Sequence, residues 1–223
     1  ANSFVANDAA YRGAQGEEGF SHIVFTSRDA AGDHKEFLKH GVSGGELVAF
    51  TRDFKQPDGS LDRVSARLAF ATHPAAPSGF YFTCEDVVVP DVDRSDLLDH
   101  ANGALGVGQV ISCAVDPQRY AGFLQRLIGT PPTRSDADGV DWQVANGTIS
   151  VRTPEALARE FGGRAVPEGP GLLHCGLVFE VADLATTEAF LGRSPGRAIA
   201  FWSTRCRGPC ISSASGNAGA SHG

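Results

Sequence analysis

Three strand-like runs of this sequence end in an aspartate, and a different residue stands seven positions before each aspartate. The pairs are His22 with Asp29, Gln109 with Asp116, and Gly176 with Asp183. Imidazole and amide side chains can bind a divalent ion such as Zn²⁺, Fe²⁺, Mn²⁺ or Ni²⁺, and so can the carboxylate of Glu85, which ends a later strand-like run. Glycine at the third position has no side chain to bind with.

Each of the three candidate metal ligands also has a structural interpretation that the sequence leaves open. His22 could be a hydrogen-bonded residue of a mixed core. Glu85 opens the acidic pair Glu85-Asp86 and could be solvated. Gln109 could be a polar residue at the edge of a strand. The residue types alone do not decide between a ligand and a structural role.

Three further residues could contact a substrate. His100 lies in a connector before Asn102-Gly103, where it either reaches a ligand or belongs to a turn. Phe82 alternates with neighbouring aromatic residues, so it either lines a cleft or packs in the core. Arg67 could clamp a substrate carboxylate, or it could lie on the solvated face of a strand.

Composition and missing motifs exclude several classes of protein. The net charge of −7 and the absence of clustered Lys and Arg predict no nucleic-acid surface. No apolar run approaches the roughly 20 residues of a membrane span. No nucleophile elbow, phosphate loop or dinucleotide fingerprint lies between a strand and a helix. Five cysteines without a scaffold spacing predict a reducing, cytoplasmic location.

The elements around the candidate residues repeat along the chain. Each strand-like run is followed by a helix-like segment that reaches a Phe-Leu pair seven or eight residues after the aspartate, namely Phe37-Leu38, Phe123-Leu124 and Phe190-Leu191. The aspartate side chain is expected to cap the first N–H groups of that helix. The Phe-Leu pair is expected on the face that packs against the sheet. Three copies of this opening predict an assembly of similar modules.

The pattern between the openings predicts an α+β fold of repeated βαβββ modules. An irregular segment covers residues 1–18, and the first visible module with its connector covers residues 19–107. Residues 108–202 hold a second module and an incomplete third one. The Ser/Gly/Ala-rich residues 203–223 are predicted to be a disordered low-complexity tail.

A strand, a helix and three strands, repeated and paired, resemble the vicinal-oxygen-chelate superfamily, which includes glyoxalase I, extradiol dioxygenases and bleomycin-resistance proteins. Several stretches between residues 15 and 192 are similar to bacterial glyoxalase-like domain proteins. They are Thr51-Arg52-Asp53-Phe54-Lys55-Gln56-Pro57-Asp58-Gly59, Arg67-Leu68-Ala69-Phe70-Ala71, Gly79-Phe80-Tyr81-Phe82-Thr83-Cys84 and His100-Ala101-Asn102-Gly103. The resemblance implies paired curved mixed sheets around a cleft, in a chain truncated at both ends.

The resemblance also implies a metal site, because the superfamily places metal ligands on the first and fourth strands of its modules. In this sequence those positions select His22, Glu85 and Gln109 for one divalent metal (Zn, Fe, Mn or Ni), with Glu85 also catalytic. His100, Phe82 and Arg67 would bind the substrate. The bound metal would hold neighbouring oxygens of a small substrate and stabilise an enediolate or activate oxygen.

Two functions from different classes, and a third outcome, follow from the resemblance. The first is a metal-dependent lyase, isomerase or extradiol-type dioxygenase that acts on a small vicinal-oxygen compound. The second is a metal-free protein of the bleomycin-resistance type that binds or sequesters a small molecule. The third is an inactive fragment. The expected partners are a small-molecule ligand and a second copy in a homodimer, with neither nucleic acid nor membrane.

Overall fold

The computed structural model describes residues 9, 20–56, 58–77, 79–90, 95, 98–161 and 169–192, and the backbone of residues 200–204. Ten strands and four helices are defined within this part of the chain. In chain order they are β1 (His22–Ser27), α1 (Ala30–Lys39), β2 (Val48–Lys55), β3 (Leu61–Ala71), β4 (Phe80–Val88), β5 (Ala104–Cys113), α2 (Gln118–Ile128), β6 (Arg134–Asp136), β7 (Gly139–Val144), β8 (Gly147–Arg152), α3 (Pro154–Phe161), β9 (Leu173–Val181), α4 (Leu184–Leu191) and β10 (Ala200–Thr204).

The first module forms a four-stranded mixed sheet in the order β1-β4-β3-β2. β1 and β4 are parallel, with His22 beside Phe80 and Ser27 beside Glu85. The helix α1 connects β1 to β2. β3 runs antiparallel to both of its neighbours. This arrangement is the βαβββ unit that the sequence predicts.

The second sheet has six strands in the order β10-β9-β5-β8-β7-β6. β5 is parallel to β8, as β1 is to β4, so strands β5 to β8 with α2 repeat the first module. β9 pairs antiparallel with β5 and parallel with β10. The leading strands β1, β5 and β9 therefore hold His22, Gln109 and Gly176, which confirms the predicted repetition and the α+β class.

The aspartates that close the leading strands do not all cap a helix. Asp29 accepts a hydrogen bond from the N–H of Gly32 at 2.9 Å, and Asp183 accepts one from Thr186 at 2.8 Å. Asp116 was expected to act in the same way. Its side chain makes no cap, because α2 begins one residue later and Pro117 holds the N-cap position.

One hydrophobic core joins the two modules. Phe37 of α1 and Tyr81 of β4 belong to the same buried cluster as Phe123 of α2 and Trp142 of β7. The rings of Tyr81 and Phe123 lie 5.3 Å apart in an edge-to-face contact. The Tyr120 hydroxyl also donates a hydrogen bond to the carbonyl of Ala75 at 2.9 Å. The modules are therefore fixed against each other by both apolar and polar contacts.

Several predicted details differ from the structure. Leu38 is 58 % exposed and Phe190 is 40 % exposed, so the Phe-Leu pair is buried as a pair only in α2. The short strand β6 was not predicted. β5 begins at Ala104, four residues before the predicted start of the second module. The predicted segments 1–18 and 203–223 lie outside the described residues, apart from residue 9 and the backbone of residues 203 and 204, which end β10. Among the described helices, none is long and apolar enough to cross a bilayer.

Candidate functional site

His22 and Glu85 lie at opposite ends of the β1–β4 pair. His22 stands beside Phe80, and Glu85 stands five residues farther along β4, a distance of about 16 Å at the usual rise per residue. Successive side chains of a strand point to opposite sides of the sheet, so Phe80 and Glu85, which are five residues apart, face opposite sides. The structure does not bring these two predicted ligands together.

Glu85 is occupied by structural contacts on the side of the sheet that α1 covers. Its Oε2 atom accepts a hydrogen bond from the first N–H of α1, at Ala30, over 3.1 Å. Its Oε1 atom lies 3.4 Å from the guanidinium of Arg67 on the neighbouring strand. The predicted catalytic carboxylate and the predicted substrate clamp are therefore paired with each other.

This arrangement predicts that Glu85→Gln destabilises the fold by about 1 kcal/mol, because the charge at the N-terminus of α1 and the ion pair with Arg67 are both lost. Urea unfolding at neutral pH measures the change. The control is Asp53→Asn, which breaks an exposed pair with Arg63 and should change the free energy of unfolding by less than about 0.5 kcal/mol. Equal effects of the two substitutions would contradict the capping role.

His22 and Phe82 belong to an aromatic group on the other side of the same sheet. The His22 ring stacks on Phe80 with centroids 5.2 Å apart and meets the edge of Phe82 at 5.9 Å. Phe82 is 5 % exposed and packs with Leu68 and Phe70. Between the two interpretations of Phe82, these contacts favour core packing.

His100 lies in a turn before β5. It is exposed, and its carbonyl accepts a hydrogen bond from Gly103 at 2.7 Å. Gly103 has a φ of +72°, a conformation that favours glycine. Asn102 accepts from the N–H of Ala104 at 3.1 Å. The surroundings of His100 are those of the turn that the sequence offered as its alternative to a ligand-contacting residue.

Gln109 alone among the six candidate residues lines a deep cleft between the two modules. This cleft has a volume of about 720 Å³. One wall is β1 with the start of α1, and the other includes β5, the end of α2 and the turn between β7 and β8. The Gln109 amide donates a hydrogen bond to the hydroxyl of Ser150 at 2.7 Å.

The lining of the cleft is mixed, with apolar and polar surface in about equal shares. Its apolar members come from both modules and are Ile23, Val24, Phe25, Val107, Val110, Leu127, Ile128, Val144, Ala145, Ile149 and Leu177. Arg28 and Asp33 are the two charged residues among those that line it. Such a lining offers a small organic molecule both apolar contact area and polar groups that can orient it.

Two polar groups of the cleft are buried without a hydrogen-bond partner among the described residues. They are the Oδ2 atom of Asp33 on α1 and the hydroxyl of Thr83 on β4. A buried polar atom normally has a partner, and an orphan calls for a ligand, ion or water. The sequence analysis missed both residues. One signal was present, because Asp33 lies three residues after Ala30 and four before Phe37, on the buried side of the helix.

A second concentration of charge is satisfied internally. Arg152 on β8 is 6 % exposed at its side chain and contacts Asp141 at 2.5 Å and Glu160 at 2.9 Å. These contacts raise the pKa of Arg152 against the opposing effect of burial. Arg134 also contacts Asp141, at 3.4 Å. A network in which each charge already has a partner offers little to a ligand.

The three predicted ligand residues do not form a single site for the metal that the resemblance implies. His22 and Glu85 face opposite sides of the first sheet, and Gln109 belongs to the second sheet and bonds to Ser150. No group of three His, Cys, Asp or Glu residues suited to a metal occurs within the described part of the chain. The individual metal-binding roles of His22, Glu85 and Gln109 stay predictions.

Comparison with known proteins identifies the family. A family model described as a glyoxalase-like domain matches residues 2–128, more than half of the chain. No functionally curated protein matches the chain significantly. A hypothetical protein from Staphylococcus aureus has a similar structure, with 12 % identity and a TM-score of 0.57, over 91 % of this chain and 73 % of that one.

Two further solved structures are more distantly similar. A Mn(II)-bound glyoxalase from Novosphingobium aromaticivorans has 10 % identity and a TM-score of 0.45, over 78 % of this chain and 50 % of that one. A methylmalonyl-CoA epimerase from Mycobacterium tuberculosis has 17 % identity and a TM-score of 0.30, over 42 % and 70 %. Because the family model covers more than half of the chain, this chain belongs to the glyoxalase-like domain family.

Proposed function

We propose that this glyoxalase-like protein binds a small organic molecule in the cleft between its two modules. The observation that carries the proposal is a cleft of about 720 Å³ with a mixed apolar and polar lining, in which two buried polar atoms, on Asp33 and Thr83, have no partner among the described residues. A volume of this size lies within the range of about 300–1,000 Å³ that is usual for small-molecule pockets.

The cleft walls are held by independent elements, which makes the site largely preformed. β1 is anchored by its parallel pairing with β4, and β5 by its pairing with β8 and β9. At the β7–β8 turn the backbone of Gly147 packs closely against β5, because a Cβ at this position would lie only 2.6 Å from the carbonyl oxygen of Gly108. A preformed pocket costs little ordering free energy when a ligand enters.

Binding without the predicted metal set is the function that the geometry favours. The carboxylate of Glu85 stabilises α1 and pairs with Arg67, and it shares no site with His22. We therefore derive no metal-dependent step from these residues. Metal-dependent lyase, isomerase or dioxygenase activity stays a prediction from the resemblance.

The proposal predicts that 2-naphthalenemethanol, a neutral apolar probe, binds in the cleft. Titration into the ¹⁵N-labelled protein should shift amide signals of the lining residues and leave distant signals unchanged. Ala145→Trp, which adds an indole at a lining turn position, should weaken binding at least about tenfold by occupying the space. The matched control is Ala137→Trp, at an exposed turn outside the cleft, which should bind the probe as the unmodified protein does. Equal binding by both variants would contradict the proposal, and so would the absence of shifts at the lining residues with this probe and with charged probes of the same ring system.

A further inference from the structure

The cleft combines an unsatisfied carboxylate with an unsatisfied hydroxyl, and this combination selects among ligands. We propose that the ligand carries a protonated amine or a similar cationic hydrogen-bond donor, which Asp33 and Thr83 accept inside the cleft. The inference rests on the proposed function and specifies the chemical class of the molecule that the cleft takes.

Asp33 is the carboxylate that makes this assignment. Its Oδ2 atom is buried, and Asp33 forms no ion pair or hydrogen bond through that atom within the described residues. An ionised carboxylate has only acceptor sites, so a hydrogen-bond donor is needed to satisfy it. A buried carboxylate oxygen without a hydrogen-bond donor is unfavourable, and a cationic donor satisfies it better than a neutral one.

The neighbouring carboxylates show how Asp33 differs. Asp29 accepts from the N–H of Gly32, and Glu85 accepts from the N–H of Ala30. Both acids therefore serve the first turn of α1. Asp33 lies beyond those N–H groups on the inner side of the helix and lines the cleft. Helix capping does not account for its buried oxygen.

Thr83 provides the second, independent observation. It is 5 % exposed, it lines the same cleft, and its Oγ1 atom has no hydrogen-bond partner among the described residues. Thr83 stands beside Phe25 in the β1–β4 pairing, so its backbone position is fixed by the sheet. A hydroxyl can accept from an ammonium group, which has three donors to distribute.

An anionic ligand would meet less favourable chemistry. Arg28 is the cationic residue that lines the cleft, but it is exposed and remains hydrated. Charge interactions are weaker at such a position than at a buried one. An anion in the cleft would also be repelled by the carboxylate of Asp33. The geometry therefore favours a cation with an apolar body that contacts the apolar part of the lining.

Three probes with the same ring system test this assignment: 2-naphthylmethylamine, 2-naphthalenemethanol and 2-naphthoate. Each is titrated into the ¹⁵N-labelled protein at 0.15 M salt, where the general attraction of the net charge of −7 for cations is screened. The amine, protonated at neutral pH, should bind in the cleft at least about tenfold more tightly than the alcohol or the naphthoate.

Substitutions then separate the local carboxylate from overall charge. Asp33→Asn should remove the preference for the amine and leave the affinity for the alcohol within about threefold of its original value. Glu46→Gln changes the net charge equally at an exposed position outside the cleft and should preserve the preference. Thr83→Val should lower the affinity for the amine about three- to tenfold relative to the unmodified protein, because one hydrogen bond is lost.

The outcomes distinguish this inference from the proposed function on which it rests. The alcohol or the naphthoate could shift the signals of the cleft residues and bind as tightly as the amine. The cleft would then bind small molecules, but the inference of a cationic ligand would be wrong. Retention of the amine preference in Asp33→Asn would overturn it as well. If none of the three probes shifts the lining residues, the proposed function itself fails.

Discussion

Replacement of Trp142 by alanine is expected to lower the free energy of unfolding by about 3–5 kcal/mol, the largest effect predicted for this chain. Trp142 is fully buried on β7 and belongs to the core cluster that also contains Phe123 and Leu124 of α2. Alanine would lose the transfer free energy of the indole and leave a cavity between β7 and α2. Equilibrium unfolding in urea at neutral pH measures the difference.

Phe50→Ala provides the matched control, because this aromatic residue lies on β2 with 40 % of its surface exposed. It should cost less than about 1 kcal/mol, since less apolar area is withdrawn from water. Trp142→Phe should fall between the two, because the phenyl ring retains most of the packing and the substitution removes an indole N–H that has no partner among the described residues. Similar losses for Trp142→Ala and Phe50→Ala would show that Trp142 is not packed in this core.

The same packing connects the core to the cleft. β7 ends at Val144, which pairs with Gly147 across the turn and lines the cleft wall. α2 supplies Leu127 to both the core cluster and the cleft lining. Loss of Trp142 would therefore loosen a wall of the proposed binding site as well as the fold. The site depends on the packing of the second module, although Asp33 and Thr83 belong to the first.

The repeated modules could be predicted from the sequence because their signals are local. Apolar β-branched runs closed by Asp29 and Asp183 predict a strand and a capped helix, and the structure has both. Repetition then supplied the long-range information, since equivalent segments occupy equivalent places. His22, Gln109 and Gly176 accordingly lie on the three leading strands.

Details within the modules depended on geometry that a pattern does not contain. Adjacent helical residues differ by about 100° in direction, so Phe37 can be buried while Leu38 is exposed. Pro117 takes the N-cap position of α2 and leaves Asp116 without a capping role. These differences of one residue are common at the ends of helices.

The candidate site was predicted less well than the fold because it depends on strand register. Whether Glu85 and His22 share a face follows from the pairing of Ser27 with Glu85, which no local pattern specifies. Asp33 and Thr83 become significant only when α1, β4 and the second module enclose them. Each residue by itself is an ordinary member of a helix or strand.

A buried histidine between the modules leads to the second large prediction. His174 on β9 is 7 % exposed, its Nδ1 atom lies 3.0 Å from the hydroxyl of Ser112, and its ring meets the edge of Tyr81 at 5.1 Å. The pKa of His174 is lowered from 6.5 to about 4, chiefly by burial; the hydrogen bond with the Phe80 backbone opposes this shift and the nearby His22 adds to it. The folded protein therefore keeps this imidazole neutral.

Acid is consequently expected to destabilise the fold between pH 6.5 and pH 4 through His174. In that window the unfolded chain binds a proton that the folded chain does not, so the free energy of unfolding falls as the pH falls. The full effect is about 3 kcal/mol at the lower end. Above pH 6.5 both states are neutral at this residue and its contribution to stability is complete.

Urea unfolding at pH 7, 5.5 and 4.5 tests this dependence in the unmodified protein and in His174→Gln, which cannot titrate. The variant should be less stable at pH 7, because the ring contact with Tyr81 is lost, but its stability should fall less over the same pH range. The difference between the two slopes isolates the histidine, since the carboxylates that also titrate are common to both. Parallel slopes would mean that His174 is not held neutral by burial, and that the contact between the modules admits enough water to hydrate a charged imidazole.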